Sequence, residues 1–427
     1  MLTIYTQDTS PRLSYTIETL FEDILGVPVR ITQNKEQLIS SAPCLNYSHE
    51  EIADVNYLRP HSLLFEEGIR KIPEKMNPQG ILFPADSNVL EQDVLAASFF
   101  LLSRYEEYTD TDYDSHGRRM AKNSQMFQSG LLTRPLVDEW AFELYDNMRV
   151  RYKDLPAPNR NFTILPTFDI DIAFAYRGRS LIRRWKATLK DVSTLAKKRL
   201  KERNMVLKNN QQDPFDSYAY QKTSCQSRGL ESRHFFLLAD RGPLDNNLSH
   251  KSTEQRTMIN EVAQWSAIGI HPSMGSNQSE RNLKKEIERL TSICGVEVSR
   301  SRQHFLYIDL PKTYQNLIAQ GIREDYSMGY ADQVGFRAGS SHTFRWFDLQ
   351  KNEATALYLI PITVMDSTLK DYLRLKPNEA IAVIDELKKS VEAVGGVFVP
   401  LWHNHTLTNY GDWKGWKSVY ESSITSE

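Results

Sequence analysis

The sequence predicts an α/β protein in two parts: a small α/β domain over residues 1–155 and a larger (β/α) unit over residues 160–425. Three observations lead there. Short apolar runs alternate with helical segments through most of the 427 residues. The polar, proline-containing stretch "KDLPAPNRN" breaks that rhythm. In the larger part, polar residues collect just after apolar runs, which favours a (β/α) barrel over a doubly wound sheet, because barrel enzymes carry their chemistry at the C-terminal ends of strands.

In the first part, "MLTIYT" and "GVPVRIT" alternate as strands do, and Leu13 to Leu25 between them carries a helical apolar stripe. "GILFPAD" reads as a short strand. "VLEQDVLAASFFLLSRYEEY" reads as a long helix, with Val94, Ala97, Phe100, Leu101 and Tyr105 at helical spacing, and "RPLVDEWAFELYDNM" as another. "YEEYTDTDYD" reads as a solvated acidic loop rather than a metal site. After the linker, "TILPTFDID", "RHFFLLAD", "AIGIHPS", "SRQHFLYI", "VGFRAG", "ALYLIPITVMD" and "GVFVPLWHN" read as strands or strand ends. The segments "TEQRTMINEVAQW", "SERNLKKEIERLTSI", "PKTYQNLIAQ" and "PNEAIAVIDELKKSVEAV" read as helices between them. A basic helical insertion near 177–210 interrupts the pattern, with Leu181, Trp185, Leu189, Val192 and Leu195 near helical spacing. It reads as an amphipathic helix with a solvated basic face, and a contact with an anionic partner is the alternative.

A hydrophobic share of 40% and a charged share of 25% fit a soluble globular protein. A net charge of -2 and a pI near 6.6 argue against whole-chain binding to nucleic acid or anionic membrane. The three cysteines, Cys44, Cys225 and Cys294, are scattered and odd in number, which suits a reduced compartment and not a disulfide framework. No segment is apolar enough over bilayer length to predict a transmembrane span, and no signal-peptide pattern opens the chain. The expected location is the cytoplasm.

Ionisable groups gather at the predicted strand ends. "TFDID" supplies Asp169 and Asp171, "AIGIH" supplies His271, and "SRSRQHF" supplies Arg302 and His304. "VGFRAGS" supplies Arg337, "ITVMDST" supplies Asp366, and "LWHNH" supplies His403 and His405. Singly, each has an ordinary explanation, such as helix capping by Asp171. Jointly at one barrel rim, carboxylate and imidazole donors suit a divalent metal, most simply Zn2+. Such an ion lowers the pKa of bound water to about 7. Residues two apart in a strand point the same way, so Asp169 and Asp171 can share one cavity, one accepting a proton and the other binding metal.

These residues resemble the NodB-like polysaccharide deacetylases, the carbohydrate esterase 4 type. "TFDID", Thr167 to Asp171, is similar to the family's T-F-D-D with one residue inserted. "FRAGS", Phe336 to Ser340, is similar to its arginine motif, and "LWH", Leu401 to His403, to its L-x-H motif, all in the family's order. The branch resembled is a divergent one, with an uncharacterised N-terminal α/β domain suggested by "SRYEEY" and "LVDEW". The resemblance implies a distorted (β/α) barrel that removes an acetyl group from an N- or O-acetylated carbohydrate with a divalent metal. It implies Asp169 as general base, Asp171 and His271 as metal ligands, and His403 as the acid. Arg337 would orient Asp169, and Asp366 would support His403. The family's second metal histidine is replaced by Gly275, and His304 is the residue expected to take its place.

Two other functions fit parts of the pattern. A sugar-binding or assembly module with a degenerate site would explain Gly275. A glycosyltransferase would use "DID" as its D-x-D but leave His271, His304 and His403 idle. An amidohydrolase fits poorly, because its H-x-H follows the first barrel strand, not the last.

Overall fold

The computed structural model describes residues 1–240, 242 and 244–426, and the fold is mixed α/β. The chain opens with a parallel four-stranded sheet in the order Val29–Thr32, Leu2–Thr6, Cys44–Tyr47, Asn56–Leu58. The last two strands were not apparent in the sequence, since all seven of their residues are buried and show no polar alternation. The expected helix after the first strand begins at Pro11, where the Ser10 hydroxyl accepts the Leu13 N–H at 3.0 Å, and proline occupies the first helical position. It runs on as a π-helical segment to Ile24.

The long apolar helix is shorter than its sequence pattern suggests, Val94–Leu102. Asp93 sets its start: Oδ1 accepts the N–H groups of Leu95 and Ala96 at 3.0 and 3.1 Å. Oδ2 accepts the Tyr47 hydroxyl at 2.6 Å and the His61 N–H at 2.7 Å. Every residue of this helix is buried, so it is an inner core element and not a surface amphipath. "GILFPAD" does not form a strand; Pro84 makes one isolated bridge to Gln92. "LVDEW" begins the Leu136–Arg151 helix as expected.

The larger sheet has nine strands, ordered Phe344–Asp348, Glu353–Leu359, Glu324–Asp325, Arg300–Ser301, Ala267–Ile270, Arg233–Phe236, Thr167–Ile170, Pro400–His403, Val364–Met365. All neighbours are parallel except the first two, which form an antiparallel hairpin. Among the described residues, the two end strands are not paired with each other. "GVFVPLWHN" and "TILPTFDID" each divide between this sheet and a separate ladder of Val397–Phe398 with Thr163–Ile164. Helices cover the sheet. In Glu280–Cys294, for example, Leu283, Leu290 and Ile293 face inward, Ser279 caps the start and Gly295, at φ 70°, ends it.

"VGFRAG" is a turn-rich loop, not a strand. Its Phe336 N–H donates to the Leu132 carbonyl and its Gly339 carbonyl accepts the Val137 N–H, each at 2.8 Å. Asp138 accepts the hydroxyls of Ser340 and Ser341 at 2.6 and 2.7 Å. Glu107 accepts Arg337 Nε at 2.9 Å and Nη2 at 2.7 Å. The expectation of a solvated loop at "YEEY" therefore fails at Glu107, which is buried and also accepts Arg104 Nε at 2.9 Å. Two cations compensate a charge that would otherwise be costly to bury.

Candidate metal centre

Three parallel strands deliver the cluster to one rim. Thr167–Ile170 carries Asp169 and ends one residue before Asp171, Ala267–Ile270 ends just before His271, and Pro400–His403 ends in His403. His304 follows the short Arg300–Ser301 strand, at the start of a 3-10 turn. Parallel neighbours in register bring residues far apart in sequence side by side; His403 lies opposite Asp169 in the ladder.

Asp171, His271 and His304 converge, with one ligand atom from each lying within 4.8 Å of the others. Asp171 Oδ1 is 3.2 Å from His271 Nε2 and 3.9 Å from His304 Nε2. The outer nitrogen of each ring is anchored. His271 Nδ1 is 2.6 Å from the Arg302 carbonyl, to which it donates, and His304 Nδ1 is 3.0 Å from Asp245 Oδ1. Such anchoring holds the proton on Nδ1 and leaves Nε2 free as a donor to a metal. Asp171 Oδ1 is buried without a hydrogen-bond partner. A carboxylate oxygen left in that state beside two oriented imidazoles fits a divalent cation. Burial opposes ionisation of Asp171, but His304, His271 and His403 outweigh it and hold this carboxyl well below the usual range.

Asp169 and His403 flank these three residues. Asp169 is buried, with Oδ2 3.7 Å from His271 Nε2. Arg302 Nη1 donates to Asp169 Oδ1 at 3.2 Å and to Thr167 Oγ1 at 2.8 Å, while its Nε donates to the Tyr326 carbonyl at 2.9 Å. His403 Nε2 is 3.8 Å from Asp171 Oδ2. Its Nδ1 lies 2.8 Å from Asp366 Oδ1, and Asp366 Oδ2 accepts the His403 N–H and the Thr406 hydroxyl, each at 2.8 Å. Burial disfavours the imidazolium, yet Asp366, with Asp171 and Asp169, pushes the pKa of His403 up to about 10. These carboxylates favour the imidazolium form of His403, whose Nε2 lies toward Asp171.

One sequence expectation is corrected. Arg337 does not orient Asp169; its donors go to Glu107 and the Gly329 carbonyl. Arg302, which directly follows the Arg300–Ser301 strand, occupies the place beside Asp169, while Glu107 holds Arg337 in the "FRAGS" loop. Gly275 lines a separate cavity with Asp245 and Glu286. Asp245 and Arg118 are the residues that sequence reasoning missed. Arg118 lines the approach to the cluster, a cavity of about 380 Å³ whose walls also include Tyr372 and His405. Its Nη1 donates to the Phe305 carbonyl at 3.2 Å and its Nη2 to the Tyr372 hydroxyl at 2.9 Å. Neither is marked by a local pattern as part of the site: Asp245 meets His304 across 59 positions, and Arg118, although its Nε also pairs with Asp114 four residues away at 2.7 Å, reaches Phe305 and Tyr372 across 187 and 254.

A family model described as a family of unknown function, DUF7033, matches residues 2–153. A search of curated proteins finds no match. Among solved structures, a Mycobacterium smegmatis protein assigned as a polysaccharide deacetylase is similar at 14% identity, over 63% of this chain and 85% of that one, with a TM-score of 0.41. The mutant of a carbohydrate esterase 4 pseudoenzyme with restored activity is similar at 9% identity, over 62% of this chain and 61% of that one, with a TM-score of 0.31. A polysaccharide deacetylase from Bacillus cereus is similar at 9% identity, over 61% and 85% of the two chains, with a TM-score of 0.30.

Proposed function

We propose that this chain is a metal-dependent hydrolase that removes an acetyl group from an N- or O-acetylated carbohydrate. The observation that carries the hydrolase reading is the buried, unpartnered Asp171 Oδ1 facing the anchored imidazoles of His271 and His304. The carbohydrate part rests on the resemblance of "TFDID", "FRAGS" and "LWH" to the NodB-like deacetylases.

A divalent ion held by Asp171, His271 and His304 supplies Lewis acidity and a water that ionises near neutral pH. Asp169 takes the proton of the attacking water, and Arg302 fixes the direction of that carboxylate. His403 enters the reaction protonated and gives its proton to the departing amine or alcohol. Asp366 keeps that imidazole turned inward and stabilises its charge. In this proposal residues 160–425 form the catalytic unit, of distorted barrel type, and residues 1–155 buttress it and lend Arg118 to the rim.

The test is acetate release from acetylated sugar oligomers, with metal content measured on the same samples. Asp171→Asn and His271→Ala are expected to lose both metal and turnover. Asp169→Asn is expected to keep the metal and lose turnover by about 100-fold or more. Full turnover after the metal has been stripped would overturn the proposal, and a protein that takes up no metal would point to a sugar-recognition module.

A further inference from the structure

The Leu181–Ser193 helix is inverted relative to a helix on a soluble domain. Its polar side faces the protein: Asp191 is buried and paired with Arg199 and Arg203 of the next helix, Lys197–Leu207, and the Thr188 hydroxyl accepts Arg203 Nη1 at 2.9 Å. Its apolar side faces solvent. Leu181, Ile182, Trp185, Leu189 and Val192 fall within an arc of about 100° and are 57–73% exposed. Leu195, just past the helix end, is 78% exposed and extends the stripe. A contiguous row of large apolar side chains in water marks an interaction surface.

The surroundings of the stripe say what covers it. Lys186 and Lys190 edge it, and the following helix exposes Lys197, Lys198 and Lys201. Residues 177–210 hold twelve Lys and Arg against two acids, a net +10 in a chain whose total is -2. Between the two helices lies a cavity of about 270 Å³ lined by Arg179, Arg184, Lys190, Arg199 and Arg203, with Asp191, paired to the last two, as the one acid in its wall. The Nε atoms of Arg179 and Arg184 are buried with no acceptor in the protein. Two copies of so basic a face repel each other, which disfavours symmetric self-pairing. An apolar stripe with Trp and Leu, bordered by lysines, is the pattern of a helix lying in the plane of a membrane surface.

We propose that this helix pair docks on an anionic phospholipid bilayer, the stripe lying in the interface and a headgroup phosphate entering the arginine-lined cavity. No helix among the described residues is long and apolar enough to cross a membrane, so the docking is peripheral. The first helix of the pair begins ten residues after Asp171, so the docking surface and the candidate metal centre follow the same strand end.

Flotation of the full chain with phosphatidylcholine vesicles, with and without phosphatidylglycerol, tests this. The chain is expected to float with the anionic vesicles, about tenfold or more preferred, and to be released by salt. Combined Trp185→Ser and Leu189→Ser should weaken that binding by about tenfold or more, with no change in the unfolding midpoint, because both side chains are exposed. Absence of flotation with anionic vesicles overturns the proposal. So does unchanged binding by the double variant. Self-association that the double variant abolishes, without flotation, overturns it in favour of a second copy. Stabilisation by inorganic phosphate without flotation overturns it in favour of a small-anion site.

Discussion

Glu107→Gln should reveal how strongly the first part of the chain holds the "FRAGS" loop. Glu107 receives three charge-assisted bonds, two from Arg337 and one from Arg104, and all three side chains are buried. In the variant, the Oε1 of the new glutamine can still accept one neutral hydrogen bond and Arg104 keeps Glu106 at 2.8 Å, whereas Arg337 loses its carboxylate partner and keeps the Gly329 carbonyl at 3.0 Å. Leaving one member of a buried pair uncompensated costs about 3–5 kcal/mol. The pKa of the carboxyl gives a second figure. Burial opposes ionisation of Glu107, but Arg337 and Arg104 outweigh it and bring the pKa from the ordinary 4.5 to about 2. That difference corresponds to about 3 kcal/mol, in agreement with the first figure. Because the carboxylate is depressed in the fold, its contribution is complete above pH 4.5 and is lost as pH falls from there toward 2. Urea unfolding followed by circular dichroism at neutral pH is the assay. Glu107→Gln is expected to be less stable by about 3 kcal/mol, and Arg337→Met comparably so. The double variant should lose less than the sum, because the two residues share one interaction. A Glu107→Gln protein within about 1 kcal/mol of the wild type would refute the reasoning.

Asp245→Asn removes the carboxylate that anchors His304 Nδ1 and should weaken divalent-metal uptake at the proposed site by about 10–100-fold; competition with a chromogenic chelator measures it, and unchanged affinity would exclude the anchoring role. His234 is buried between Gln221 Oε1 and Ser266 Oγ, each 2.8 Å from a ring nitrogen. Burial lowers its pKa from 6.5 to about 3, so the unfolded chain takes up a proton that the fold refuses. Its contribution is complete above pH 6.5 and falls by about 1.4 kcal/mol per pH unit below that, until about pH 3. Unfolding free energies between pH 6.5 and 4.5 should therefore depend on pH by one proton less in His234→Asn than in the wild type; equal slopes would contradict the buried neutral imidazole.

Sequence alone determined the local features: the first two strands, the amphipathic helices of the larger part, and the strand ends that carry Asp169, Asp171, His271 and His403. These were legible because strand and helix periodicity are properties of neighbouring residues, and because polar groups directly after apolar runs stand out. By contrast, "SRQHFLYI", expected as a strand, gives only Ser301 to the two-residue Arg300–Ser301 strand and forms a 3-10 turn that begins at His304. Tertiary structure decided which of those groups meet. Arg302 rather than Arg337 reaches Asp169, across 133 positions, and Glu107 reaches Arg337 across 230. Such partnerships depend on strand order, which no local pattern encodes. Tertiary packing also decided which face of the Leu181–Ser193 helix is covered. Periodicity predicts an apolar stripe, but only the buried pairing of Asp191 with Arg199 and Arg203 turns that stripe toward solvent.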